Sequence, residues 1–263
     1  MQPIENKAEF ASRFSRWNGD ESLVGYPFVE NRHAPFTPMP RALPMINLGL
    51  ISSAGAYIDG TEPFDTRSNN GDVSYRELPI EVDAADLRYA ARGYDPSAVT
   101  EDRNALIPID RLLEYQQNSV IGSLNGVVWS LSSYIPDAGK VSDELCPKIV
   151  ERLKRYDVSA ALLIPATRLC HQTLGIVARA VEAAGIPTML LSIDTPITDK
   201  VRPPRTAYYS GTAGAVAGKP NWSEFQLRVL DEALRWIETF DQPGSRKLAV
   251  EIESQVEAAR GER

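Results

Sequence analysis

The sequence predicts an α/β protein: a three-layer, Rossmann-like, doubly wound and mostly parallel sheet with an extended N-terminal arm. Two stretches carry that expectation. Tyr156–Asp194 (YDVSAALLIPATRLCHQTLGIVARAVEAAGIPTMLLSID) runs from a short apolar segment through a turn and a periodic segment into a second apolar segment. Apolar runs too short for a helix, joined by a helix-period stretch, describe a right-handed βαβ unit. Pro44–Ser53 (PMINLGLISS) is a further apolar run, closed by small residues, and reads as the first core strand. The composition agrees: 263 residues with 43% hydrophobic and 24% charged residues can bury one substantial core.

The chain divides into an N-terminal helix and extended arm (1–44), an α/β core (45–240) and a C-terminal helical tail (241–263). Phe10, Phe14 and Trp17 recur at helical spacing, so Glu5–Trp17 should lie as an amphipathic helix on the body. Gly25–Pro44 is rich in proline and aromatics, an extended arm that packs across a surface or a partner. Its His33 reads as a structural or solvated loop residue. Residues 65–108 are irregular and polar, the kind of long connection that forms a lid or an active-site loop. A helix follows at Ile109–Gln117, a β-rich run at Gly126–Leu131 and an amphipathic helix at Val141–Tyr156. Ser159–Pro165 and Ile186–Ile193 are the strands of the central unit, with a helix at His171–Ala184 between them. Thr206–Tyr209 reads as an edge strand, Ser210–Pro220 as a mobile Gly/Ala-rich loop, and Phe225–Phe240 as an amphipathic helix.

Thirty-five acidic against 28 basic residues give a net charge of −7, which argues against generic nucleic-acid binding. No apolar run reaches the ~20 residues of a membrane span, and the N-terminus lacks a signal-peptide pattern. Cys146 and Cys170 form no CxxC pair, and with two histidines there is no metal-ligand cluster. A reducing cytoplasm is the expected compartment.

In open parallel sheets, ligands gather beyond the carboxyl ends of the strands. That places Thr167, Arg168, Cys170 and His171 at the rim. A thiol in a helix's first turn near Arg168 and His171 can be a low-pKa nucleophile, or else an inert core thiol; spacing alone leaves both open. Ser52-Ser53-Ala54-Gly55 is a small-residue turn that suits a carboxylate, without GxGxxG or P-loop lysine. Arg205, after the last strong strand, would hold a substrate carboxylate bidentately or form a salt bridge.

LLIPATRLCHQTLGIVARAVEAAGIPT resembles the glycine/sarcosine/betaine/D-proline reductase selenoprotein B family, nearest its D-proline reductase branch. There, a selenocysteine-x-x-Cys motif precedes HQT; Cys170 matches the cysteine, and Thr167 stands at the selenocysteine position. Further agreement comes from Glu62-Pro63-Phe64, from GDxSxRxxP with Ser74 and Arg76, from Tyr94-Asp95, from Asp102 and Asn104, and from Pro108 with Asp110-Arg111-Leu112. The resemblance covers roughly residues 35–240. Two family histidines are replaced, one by the Ala213-Gly214-Ala215 segment and another after Asp86-Leu87. A threonine hydroxyl cannot replace a selenolate, so the resemblance implies reductive machinery that is dismantled or rebuilt.

The resemblance implies reductive C–N cleavage alpha to a carboxylate, on a small amino-acid-like substrate. Cys170 would be the nucleophile, His171 the proton donor and Arg168 a pKa-lowering neighbour, while Ser52, Ser53, Ser74 or Arg76 hold the carboxylate. No cofactor is expected in this chain; a pyruvoyl group on a partner subunit is implied, and a homo-oligomer is expected. A non-redox lyase or isomerase would need a second base, for which Asp102, Asp110 or His171 would serve. A non-catalytic binding subunit is the third reading.

Overall fold

The computed structural model describes residues 2–250. In chain order the strands are β1 (Asn47–Ser52), β2 (Ala56–Ile58), β3 (Tyr75–Pro79), β4 (Leu87–Tyr89), β5 (Ser123–Leu131), β6 (Ala160–Ile164), β7 (Thr188–Ser192), β8 (Arg205–Tyr208) and β9 (Gly244–Lys247). The helices are α1 (Lys7–Phe14), α2 (Ser97–Glu101), α3 (Ile109–Gln117), α4 (Ala138–Lys140), α5 (Cys146–Arg155), α6 (Arg168–Ala183), α7 (Thr195–Val201) and α8 (Ser223–Thr239). Seven strands form one sheet in the order β3-β5-β1-β6-β7-β8-β9, while β2 and β4 make a small antiparallel ribbon. Only β3 runs antiparallel within the large sheet.

The central strands are apolar at nearly every position because both faces are covered. Leu48, Leu50, Val128, Leu162 and Met189 face α3 and α8. Ile51, Trp129, Leu163 and Leu190 face α1, α5, α6 and α7. The result is the expected three-layer, Rossmann-like α/β arrangement, with helices in the connections between parallel strands.

Several elements differ from the sequence expectation. The helix expected from Val141 opens with an i→i+5 turn over Val141–Leu145 before α5 begins. Pro147 explains this, since it lacks the N–H that would continue an i→i−4 ladder. Thr206–Tyr209 is not an edge: β8 starts at Arg205 and pairs with β9 on its outer side. The tail from Ser245, expected to be helical, contributes β9 through Lys247, and residues 251–263 lie outside the described residues. The loop expected to be mobile packs inward, burying Ala215, Val216 and Ala217.

The N-terminal arm is bonded to the outer face of α6. Gln172 Oε1 accepts the Val29 N–H at 2.8 Å, and its Nε2 donates to the Tyr26 hydroxyl. Arg179, fully buried, donates to the Pro3, His33 and Arg202 carbonyls. Glu182 accepts from the Thr37 N–H at 2.8 Å and pairs with Arg205. These residues recur at i, i+7 and i+10, one stripe of the helix. A face that ordinarily meets water is polar here and buried under the arm.

Candidate functional site

The central unit is built as a strand, a cap and a helix. β6 ends at Ile164, and Thr167 turns the chain with an extended backbone and caps α6, its Oγ1 accepting the Cys170 N–H at 3.1 Å. Thr167 is therefore the cap residue, and α6 begins at Arg168 rather than at His171. The same hydroxyl lies 3.1 Å from the Cys170 sulfur. The thiol donates to the Ser133 carbonyl at 3.2 Å and lies 3.9 Å from that of Ser53.

That environment holds the sulfur as a thiol. Cys170 is 1% exposed, and burial pushes its pKa above the ordinary value against the help of the Ser53 and Thr167 contacts. Carbonyl oxygens facing the sulfur accept its proton and would repel a thiolate. Of the two readings the spacing left open, a low-pKa nucleophile or an inert core thiol, this closed arrangement has the thiol protonated. Arg168 does not reach the sulfur's partners: its side chain is 58% exposed and its Nε pairs with Asp194 at 3.3 Å.

His171 is also corrected as a proton donor. Its Nδ1 meets the Thr167 carbonyl at 2.7 Å, and its Nε2 accepts the Ile193 N–H at 3.1 Å. Both nitrogens are committed, which fixes the neutral Nδ1–H tautomer. Burial pushes the pKa down to about 4. The ring ties the start of α6 to the end of β7.

The Ser52–Gly55 turn abuts the thiol as anticipated. Ser53 Oγ accepts the Ala166 N–H at 3.0 Å, and Ser52 Oγ accepts the Ala54 N–H at 3.3 Å. Gly55 has φ +67°, and a Cβ there would stand 2.6 Å from the Ala90 carbonyl oxygen, so only glycine lets residue 90 approach. The turn's donors and acceptors serve the neighbouring loops.

The remaining sequence candidates fall elsewhere. Ser74 and Arg76 sit where β3 meets the carboxyl end of β5, but Arg76 bonds Ser74, stacks over Phe64 and donates to the Glu62 and Pro63 carbonyls. Asp102, Asn104 and Asp110 form a separate knot. Burial raises the Asp102 carboxyl, yet donors from Gln226, Asn104 and Asn221 outweigh it and hold the group below the usual range. The Arg103 bond, opposed by burial, holds Asp110 low as well, and Asn104 bridges the two acids. With their oxygens committed, neither acid is free as a base. Arg205 begins β8, so it lies at the opposite, amino edge of the sheet and pairs with Glu182 there. His33 is an exposed partner of Glu5.

Sequence reasoning missed Ser133 and Tyr94 as members of the site. Ser133 supplies a carbonyl to the thiol and takes the Arg92 N–H on its hydroxyl at 2.8 Å. Tyr94 donates to the Ala54 carbonyl at 2.6 Å. The available signals were Ser132-Ser133 at the end of a buried strand and the Tyr94-Asp95 pair. Among the described residues there is no cluster of three or more histidines, cysteines and acids arranged for a metal ion. No helix among them is long and apolar enough to cross a membrane.

A family model for glycine/sarcosine/betaine reductase selenoprotein B matches residues 42–166, ending one residue before Thr167. The D-proline reductase subunit gamma of Acetoanaerobium sticklandii is 30% identical over 200 residues, 76% of this chain and 81% of that protein. The chain belongs to the glycine/sarcosine/betaine reductase selenoprotein B family. More distant similarity reaches the glycine reductase complex component B subunit gamma of Symbiobacterium thermophilum, 24% identical over 68% of this chain. The sarcosine reductase complex component B subunit beta of Peptoclostridium acidaminophilum is 22% identical over 70% of this chain. These last two matches span 42% of each relative's length. No solved structure matches. Within the family, this member carries Thr167 as helix cap and Cys170 as its rim thiol.

Proposed function

We propose that this selenoprotein B family member acts on a small amino-acid-like carboxylate in a reductase complex, with Cys170 as the nucleophile. The observation that carries the reading is the placement of Cys170: a thiol in the first turn of α6, at the carboxyl end of β6, against the Ser53 and Thr167 hydroxyl-bearing turns. Once the Ser133 carbonyl is withdrawn, the helix N-terminus and the Thr167 hydroxyl favour the thiolate.

The thiolate attacks the alpha carbon as the C–N bond breaks, and the amine leaves with the bonding pair and takes a proton. An external dithiol then attacks the Cys170 sulfur. The C–S pair passes to the alpha carbon, which is protonated, and closure of the dithiol to a disulfide frees Cys170. Two electrons move from the dithiol to the substrate carbon. A pyruvoyl group on a partner subunit would supply activation of the amino group. The groups touching the closed thiol are paired with one another, so the described residues form no cradle for it. With His171 committed to Thr167 and Ile193, solvent or the partner supplies the proton.

The test is dithiothreitol-dependent amine release or ring opening with glycine, sarcosine, betaine or D-proline, by this chain with a pyruvoyl-bearing partner subunit. Loss of turnover in Cys170→Ser with retained folding is the expected result; full turnover in that variant overturns the thiol role. A second reading, a non-catalytic subunit that stabilises its partner, is favoured by the closed, protonated thiol and by the structural employment of Thr167. It predicts that Cys170→Ser leaves complex assembly and turnover unchanged.

A further inference from the structure

Two loops from distant parts of the chain meet on the neighbours of Cys170, namely Ala54, Ser133, Ala166 and Thr167. Along residues 90–95, the Ala90 N–H bonds the Gly55 carbonyl at 2.9 Å, the Arg92 N–H bonds Ser133 Oγ, and the Tyr94 hydroxyl bonds the Ala54 carbonyl at 2.6 Å. Gly93 lies over Thr167, whose Cγ2 would be 3.6 Å from a Cβ placed there. From the other side the Gly214 N–H bonds the Ala166 carbonyl at 2.9 Å. Gly214 has φ +81° and packs so tightly on the Tyr94 ring and the Asp95 carbonyl that a Cβ would stand 2.9 Å from each. The Tyr94 ring is thus the piece both loops share.

The 90–95 segment also borders open space. Beside its first residues lies an open cavity of about 640 Å³, lined by Tyr57, Phe64, Arg67, Tyr89 and Ala91. Cys146 makes the contrast. It is as buried as Cys170, at 2% exposed, but it opens α5 and belongs to the packed cluster that also holds Ile149, Leu153 and Trp129. Cys146 lies inside a helix layer, whereas Cys170 lies at a strand end where residues 90–95 and Gly214 meet.

We propose that residues 90–95 are a lid over Cys170, latched by the Tyr94 hydroxyl on the Ala54 carbonyl, and that reagents and small ligands reach the thiol through its opening. The lid serves the thiol chemistry proposed above and so rests on that reading for its purpose. Its test reads the opening itself and fails separately from that chemistry.

The experiment labels the native full chain with iodoacetamide in 0 to 1.5 M urea and follows each cysteine by peptide mass. Local opening exposes little surface, so the Cys170 rate should be nearly independent of urea and faster than that of Cys146, which should follow global unfolding. Tyr94→Phe removes one hydrogen bond and should speed Cys170 about fivefold with its rate still nearly independent of urea, while Cys146 speeds by no more than that factor and keeps its steep urea dependence. Gly214→Ala should act in the same direction. Equal rates and equal urea dependence for the two thiols would overturn the lid. An unchanged Cys170 rate in Tyr94→Phe would overturn the latch.

Discussion

Acid tests the rim most directly, because His171 is buried with both nitrogens engaged. Protonating Nε2 would aim a second donor at the Ile193 N–H in a fully buried site. Burial accordingly lowers the folded pKa from 6.5 to about 4. Between those values the unfolded chain binds a proton that the folded chain refuses. The stability is therefore whole above pH 6.5 and drains away as the pH falls toward 4. The gap of roughly 2.5 pH units corresponds to roughly 3 kcal/mol once fully developed, and to about 2 kcal/mol at pH 5. For a chain of this size that is a fall in Tm of roughly 4–8 °C between pH 7.5 and 5. The assay is urea unfolding of the wild type and of His171→Asn at both pH values. Comparing the two proteins cancels carboxylates such as Asp102 and Asp110, which titrate lower. The variant should be less stable at pH 7.5 yet lack the extra slope. Equal slopes in the two proteins, or an NMR-titrated His171 pKa at or above 6, would refute the reasoning.

Glu182→Ala should cost about 3–5 kcal/mol, because it strands the buried Arg205 guanidinium and removes the acceptor of the Thr37 and Thr188 N–H groups. A shift of less than about 1 kcal/mol in urea unfolding would show that the pair does not lock the arm. Thr167→Ala should cost about 1 kcal/mol as a lost cap, while Thr167→Ser stays nearer the wild type; equal losses in thermal unfolding would deny the capping role. Gly55→Ala should lose about 2 kcal/mol or more, from positive φ and the clash at Ala90. Arg168→Ala should stay within about 0.5 kcal/mol, since its side chain is largely exposed; a larger loss would place Arg168 in the fold itself.

The central βαβ unit was legible because buried parallel strands are apolar at every position and a capped amphipathic helix between them has its own period. The Ser159–Pro165 run became β6, and Ile186–Ile193 became β7. Helix α7 went unrecognised although its signal was present: Asp194 caps it through the Ile197 N–H, with Pro196 in its first turn. β9 was hidden because GSRK has no apolar pattern; an edge strand needs only one neighbour. At the site, Thr167, Cys170 and the Ser52–Gly55 turn were legible as one rim because strand ends share an edge. The same rule, applied to strand starts, would have sent Arg205 to the far edge. The direction of the Cys170 pKa was not legible, since it is set by burial beneath residues 90–95 and 211–218, far away in sequence.

The arm on α6 has a consequence for the order in which the chain locks. Its bonds to Gln172, Arg179 and Glu182 join residues 143 to 176 positions apart. Closing loops of that length costs roughly 4–5 kcal/mol of chain entropy before any bond repays it, and contacts of such span slow folding. During synthesis the arm leaves the ribosome before α6, yet its docking surface does not exist until α6 has formed. The arm, made before α6, thus settles only after it.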